Sequence, residues 1–222
     1  MNRSQAGFTL VELMVAILVL GLISTGFYSV LLSGARGADR SRSVVRVSEE
    51  ARIGLNRMIR DSREAGVVVT ASATSYRIHV DFDNNGAYDG NSAGNYEDLI
   101  FAYVTASAAS SVCPSRLGPG CITLNGQRLV VGVDPIPGTD IFGYTSNLML
   151  YDCNRDGVTT WQELDQAEVS GRGCPARPEM GNANGVLDDE RPFINGITYA
   201  LRIRQGRSTS DFYSEVQLRN LR

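Results

Sequence analysis

The chain of 222 residues can supply one ordinary globular domain and one membrane-length helix. Its formal net charge of -3 is uneven, because residues 1–65 hold nine Arg and six acids whereas residues 66–222 hold twelve Arg and eighteen acids. An acidic second part argues against a nucleic-acid partner, since phosphate binding requires clustered cations. All 21 basic residues are Arg, which excludes lysine Schiff-base and P-loop chemistry. The one histidine, His79, fits the polar face of a strand, and we assign it no role.

A membrane helix is predicted near the start of the chain. Residues 13–32 carry no charge, and as a helix they are long enough to cross a bilayer core of about 30 Å. A conventional secretory signal has a shorter apolar region of about 7–15 residues. Glu12 lies where the apolar run begins, and a carboxylate in that position usually has a partner unless it is solvated among the headgroups.

The sequence Gly7-Phe8-Thr9-Leu10-Val11-Glu12, followed by the apolar run, resembles the type III signal of type IV prepilins and secretion pseudopilins. The resemblance implies that a prepilin peptidase cleaves after Gly7 and that the new Phe8 amine is methylated. It implies insertion in the bacterial inner membrane with the leader, residues 1–7, in the cytoplasm and the head in the periplasm. It also implies that Glu12 pairs with the Phe8 amine of a neighbouring pilin or pseudopilin subunit.

The resemblance makes residues 8–35 a transmembrane assembly helix, and residues 36–65 are predicted to continue it as an amphipathic helix. The apolar positions of this continuation are Val44, Val47, Ala51, Leu55, Met58 and Ile59. Gly66 is a plausible helix end. The segment EEARIGLNRMIRDSREAG and the closing run DFYSEVQLRNLR resemble the corresponding parts of PilW-type minor pilins and of J-type type II secretion pseudopilins.

Residues 66–222 are predicted to form a β-rich head. Short β-type runs separated by Gly, Asn, Asp and Pro lie at Val67–Thr70, Tyr76–Val80, Leu99–Val104, Arg128–Val133, Leu148–Tyr151, Ile197–Ile203 and Phe212–Leu218. They indicate an antiparallel sheet. The predicted fold class is α+β, with a long N-terminal helix packed on an antiparallel head, as in type IV pilins.

The four cysteines are Cys113, Cys121, Cys153 and Cys174, and their spacing is not that of a zinc or thioredoxin-type site. Disulfides are therefore predicted, which places the head in an oxidising compartment. Three pairings are open, and short-range closure favours Cys113–Cys121 together with Cys153–Cys174.

Residues 152–163 fit the D-x-[DN]-x-[DN]-G-x5-E pattern of a calcium loop. The predicted Ca²⁺ ligands are Asp152, Asn154, Asp156, the Val158 carbonyl and Glu163, with Thr160 contributing directly or through water. Two alternatives bear on this site. Asn147–Tyr151 is predicted to be a strand rather than the usual helix, and a capping box between Thr160 and Glu163 would occupy Glu163 without a metal.

A second and weaker calcium loop begins at Asp81. Its predicted ligands are Asp81, Asp83, Asn85, Ala87 and Asp89. Position twelve is Ser92, so Glu97 or Asp98 would have to fold back to complete the site, and an Asn-Gly hairpin turn is the alternative. A third stretch, from Asn182 to Asp188, has no acid at its first position and is interpreted as a turn or as support for the second loop.

These features predict a non-enzymatic minor type IV pilin that initiates, caps or decorates a pilus and has a calcium-stabilised head. A type II secretion pseudopilin is the close alternative, because it shares the assembly helix and the β-rich head. A membrane-tethered hydrolase with paired carboxylates is a third hypothesis, which the calcium loops make unnecessary.

Overall fold

The computed structural model describes residues 9–87, 97–165, 181–182, 184–205 and 208–219. Gly7, Phe8, Asp89 and Cys174 therefore lie outside the described residues. The chain divides into two compact units, residues 1–46 and 47–222. The first helix, α1 (Leu10–Arg63), contributes to both units.

In the first unit, the stretch Leu10–Ala38 of α1 has a mean hydropathy of 2.3, and none of its most apolar part is buried within the chain. By length and composition it could cross a membrane. Its polar side chains bond internally, since Thr25 Oγ1 donates to the Gly21 carbonyl at 2.8 Å and Ser33 Oγ donates to the Ser29 carbonyl at 2.9 Å. Hydroxyls satisfied in this way are compatible with apolar surroundings.

In the second unit, the last turns of α1 bury one face. Ala51, Leu55 and Met58 are buried at helical spacing, as the sequence pattern predicted, whereas the side chains of Val44 and Val47 lie outside the description. A Cβ at Gly54 would overlap Val130 Cγ2, so this glycine allows the helix to approach the sheet closely.

Ten strands occur among the described residues. They are β1 (Ala65–Ser72), β2 (Ser75–Val80), β3 (Asp98–Thr105), β4 (Gly120–Leu124), β5 (Gln127–Val131), β6 (Val133–Asp134), β7 (Phe142–Ser146), β8 (Thr159–Thr160), β9 (Gly196–Gln205) and β10 (Ser208–Gln217). A five-residue helix, α2 (Trp161–Asp165), follows β8. The fold is α+β, with a long N-terminal apolar helix followed by antiparallel sheets, as in type IV pilins.

The strands form two antiparallel sheets rather than the single sheet that the sequence indicated. The first has the order β1-β2-β3-β4-β5, and the second has the order β10-β9-β7-β8 with β6 pairing to β9. The predicted alternation of buried and more exposed side chains in β2 is confirmed, since Tyr76, Ile78 and Val80 are buried. There are two sheets because β5 pairs with β4 at the edge of the first sheet, whereas β7 pairs with β9 in the second.

The predicted strand Leu148–Tyr151 is wrong. Met149–Tyr151 is one turn of 3-10 helix, and Met149 and Leu150 are exposed. The apolar run suggested a strand, but Tyr151 N bonds locally to the Leu148 carbonyl at 2.9 Å instead of to a neighbouring strand, and of the last three residues only Tyr151 is buried.

Helix α1 and both sheets meet at a buried ring of three hydroxyls. Ser62 Oγ lies 3.0 Å from the Tyr76 hydroxyl, which lies 3.1 Å from the Tyr199 hydroxyl. The Tyr199 hydroxyl donates to Ser62 Oγ at 2.8 Å and closes the ring. Phe101 stacks on Tyr76 with ring centroids 4.9 Å apart. The core of the head is thus organised around Tyr76.

Candidate assembly segment and calcium loops

Glu12 caps the start of α1. Thr9 N and Thr9 Oγ1 each lie 3.3 Å from Glu12 Oε2, and Glu12 N lies 3.3 Å from Thr9 Oγ1. This reciprocal arrangement is a capping box, and the acid also complements the positive end of the helix dipole. The role of Thr9 was not predicted from the sequence, although the spacing Thr9-x-x-Glu12 is the signal for it. Both residues are exposed.

A disulfide is present in the head between Cys113 and Cys121, with Cα atoms 5.8 Å apart. Cys121 lies on β4, so the bond anchors the preceding loop to the first sheet. Cys153 is also disulfide-bonded.

The first calcium loop, residues 152–163, is folded around its polar side chains. Asp152 accepts hydrogen bonds from Asp156 N at 3.2 Å and from Gly157 N at 2.9 Å. Asn154 Oδ1 accepts one from Asp156 N at 2.8 Å, and Asp156 Oδ1 accepts one from Val158 N at 2.8 Å. These bonds turn the backbone around the side chains at alternating positions, as a cation-binding loop requires.

Glu163 closes this loop. Its Oε1 accepts from Cys153 N at 3.1 Å, and its Oε2 accepts from Thr160 N at 2.8 Å and from Thr160 Oγ1 at 3.0 Å. The Glu163 carboxylate thus caps the backbone N–H of Thr160, which is one half of the predicted capping box, and it also reaches the start of the loop. Both carboxylate oxygens of Glu163 therefore accept hydrogen bonds from the protein.

The second loop has the same conformation. Asp81 accepts from Asn85 N at 3.0 Å and from Gly86 N at 2.9 Å, and Asn85 Oδ1 accepts from Ala87 N at 2.7 Å. The fourth and sixth positions have left-handed backbones in both loops. The φ values are 56° at Asn84 and 80° at Gly86, and 60° at Arg155 and 90° at Gly157.

Glu97 completes the second loop, whereas Asp98 does not. Glu97 Oε1 accepts from Phe82 N at 3.2 Å, and carboxylate oxygens of Asp81, Asp83 and Glu97 all lie within 4.8 Å of one another. Oxygens that share one Ca²⁺ at 2.3–2.6 Å lie within about 5 Å of each other. Asp98 instead forms an ion pair with Arg77, whose hydrogen bond lowers the pKa of Asp98.

Comparison with known proteins defines the N-terminal segment. The family model described as "Prokaryotic N-terminal methylation motif" matches residues 2–28, which include Gly7, Phe8 and Glu12. No curated protein and no solved structure gives a significant match to the chain. The motif and the apolar helix that follows it fit a membrane-anchored protein, and they support a type IV pilin or pseudopilin-like subunit. Proteins with this motif are structural subunits that assemble with other pilin subunits after processing by prepilin peptidase.

Proposed function

We propose that this chain is a minor type IV pilin, a structural subunit that initiates, caps or decorates a pilus. The observation that carries the proposal is the methylation motif of residues 2–28 on an apolar helix that begins with one acid, Glu12. Between Leu10 and Arg63 the sequence has no proline, in contrast to the proline that many major pilins carry midway through this helix. That difference favours a minor subunit. The head lies in the periplasm until the subunit joins the pilus.

In the proposed assembly step, Glu12 exchanges partners. In the single chain its carboxylate accepts hydrogen bonds from Thr9, which are exposed and long at 3.3 Å. The charged, methylated Phe8 amine of a neighbouring subunit would be a stronger partner in an apolar environment, because Coulombic attraction increases as the local dielectric falls. The pair would fix the axial register between adjacent helices.

Calcium would stabilise the head. The support is the shared conformation of the two loops and the closing carboxylates Glu163 and Glu97, each of which reaches the second residue of its loop. Extracellular calcium modules bind with dissociation constants of about 10⁻⁴–10⁻³ M, so calcium outside the cytoplasm would fill such sites. We expect Asp156→Ala to lower the calcium-dependent rise in melting temperature. Asp140→Ala, which changes an exposed acid outside the loops, should retain the full rise.

The assembly proposal is tested with Glu12→Ala and Glu12→Gln in cells that assemble pili. Both variants should be cleaved and methylated normally and should be absent from sheared filaments, because neither can form an ion pair with the Phe8 amine. Glu12→Gln retains the size and the capping acceptor of Glu12, so it separates the charge from the helix cap. Normal incorporation of both variants would refute the assembly role of Glu12.

A further inference from the structure

Two buried carboxylates in the head each have one oxygen that accepts no hydrogen bond from the described residues. These oxygens are Asp165 Oδ1 and Glu190 Oε1. Asp165 is 2% exposed and Glu190 is 0% exposed. An unpartnered oxygen on a buried charged group is costly, and native proteins rarely keep one without a proton, an ion or a water to satisfy it.

The two carboxylates border the same turn, although they come from different segments. Asp165 ends α2, and its Oδ2 accepts from Gly185 N at 2.8 Å. Glu190 Oε2 accepts from Asp188 N at 3.1 Å. Gly181 separates them, since a Cβ there would overlap both Glu190 Oε1 and the Asp165 Cα. Burial raises the pKa of Glu190, and the charges of Asp165 and Asp188 raise it further.

Asp165 occupies the place of the first acid in the two calcium loops. In those loops, Asp152 Oδ2 accepts from Gly157 N at 2.9 Å and Asp81 Oδ2 accepts from Gly86 N at 2.9 Å. Gly185 is the sixth residue counted from Met180, and its N–H donates to Asp165 Oδ2 as the sixth-position glycine does in the other two loops. Gly185 also has a left-handed backbone, with a φ of 74°. The first acid of this turn is therefore supplied by Asp165, which lies in a different part of the chain.

The rest of the turn follows the same pattern. Asn182 Oδ1 accepts from Asn184 N at 3.1 Å, and Asn184 Oδ1 accepts from Val186 N at 2.6 Å. Glu190 lies against Gly181, the second residue of the turn, which is the position that Glu163 and Glu97 contact in their own loops. The turn thus has a first acid, alternating amide oxygens and a closing acid.

We infer that a third Ca²⁺ site is formed by the side chains of Asp165, Asn182, Asn184 and Glu190. All four donors are oxygens and two are carboxylates, which is the ligand chemistry of Ca²⁺ rather than of transition metals. From the sequence, this stretch was predicted to be a turn or a support for the second loop, because Met180 stands where the first acid belongs. The acid is supplied by Asp165, at the end of α2, the helix that also carries Glu163. The ion would join α2 to the segment that leads into β9.

Calorimetry on the full-length chain in detergent micelles tests this site, with CaCl2 as the probe. A background carrying Asp81→Ala and Asp156→Ala disables the other two loops. This background should bind one Ca²⁺ per chain, and Mg²⁺ should bind at least tenfold more weakly. Adding Asp165→Asn or Glu190→Gln should weaken calcium binding at least tenfold. Asp140→Asn, which changes an exposed acid outside this turn, should change the affinity less than twofold.

Melting without calcium separates a metal ligand from a merely structural acid. Glu190→Gln should melt at the same temperature as the background or higher, because the amide removes a buried charge, and it should lose the calcium-dependent rise. The inference is overturned if the background binds no calcium, if Mg²⁺ binds equally well, or if binding survives both substitutions. Those failures would leave leader cleavage and filament assembly unchanged, so they are distinguishable from failure of the proposed function.

Discussion

The hydroxyl ring of Ser62, Tyr76 and Tyr199 should stabilise the head, and Tyr199→Phe tests its contribution. The substitution removes the contacts of 3.1 Å and 2.8 Å but leaves Ser62 and Tyr76 paired at 3.0 Å. No buried hydroxyl is then without a partner, so the cost is that of lost hydrogen bonds alone, about 1–2 kcal/mol in the free energy of unfolding. For a head of this size that corresponds to a fall in melting temperature of about 2–8 °C.

The assay is thermal unfolding of the full-length chain in micelles at constant calcium. Burial raises the pKa of Tyr199 to about 12, so the loss should be the same at every pH near neutrality. Tyr213→Phe is the matched control, because Tyr213 is 66% exposed, and it should change stability by less than about 0.5 kcal/mol. The double variant Tyr76→Phe and Tyr199→Phe should lose less unfolding free energy than the sum of the losses of the two single variants. The reason is that each single variant already removes the hydrogen bond between the two tyrosine hydroxyls. Equal melting of Tyr199→Phe and Tyr213→Phe would refute the reasoning.

Two further predictions concern α1 and the second sheet. A Gly→Ala substitution in an exposed helix stabilises a protein by about 1 kcal/mol, but Gly54→Ala should destabilise the head by about 1–2 kcal/mol because the new Cβ overlaps Val130. Urea unfolding measures this loss, and adding Val130→Ala should restore part of it. A Gly54→Ala variant that is more stable than the wild type would contradict this packing. The guanidinium of Arg202, opposite Asp211 on the β9–β10 ladder, lowers the pKa of Asp211 below its ordinary value of 3.8. The ion pair between Arg202 and Asp211 therefore stabilises the fold fully above the unfolded-state pKa of Asp211, and this stabilisation is lost as pH falls through the folded-state pKa. The melting temperatures of the wild type and Asp211→Asn should converge in acid. A difference between them that widens below about pH 4 would contradict this direction of the pKa shift.

The sequence predicts the parts of the fold whose signals are local. Alternation in Tyr76–Val80 identifies a half-buried strand, and the helical spacing of Ala51, Leu55 and Met58 identifies the face of α1 that packs in the head. β4 and β7 were missed. β4 is buried at every residue, so it has no alternation, and β7 contains Gly143 in a short run. Pattern analysis cannot distinguish such segments from a buried loop.

The candidate calcium sites also differ in whether their ligands are close together in the sequence. All proposed ligands of the loop that ends at Glu163 lie within twelve consecutive residues, so spacing alone is sufficient to predict them. Glu97 is brought to Asp81 by strand register, since Val80 N bonds to the Glu97 carbonyl at 2.8 Å where β2 pairs with β3. Asp165 reaches its turn only through the tertiary fold. Ligands supplied across strands or helices have no fixed spacing in the sequence.

The central claim, that this chain is processed and assembled as a pilin-like subunit, is tested most directly by the mass and N-terminal sequence of the mature protein. The wild-type chain purified from membranes that contain prepilin peptidase should begin at Phe8 and carry one methyl group on its amine. Gly7→Ala should retain residues 1–7 and no methyl group. A wild-type chain that keeps these residues, or that is cleaved beyond the apolar helix, would contradict the account.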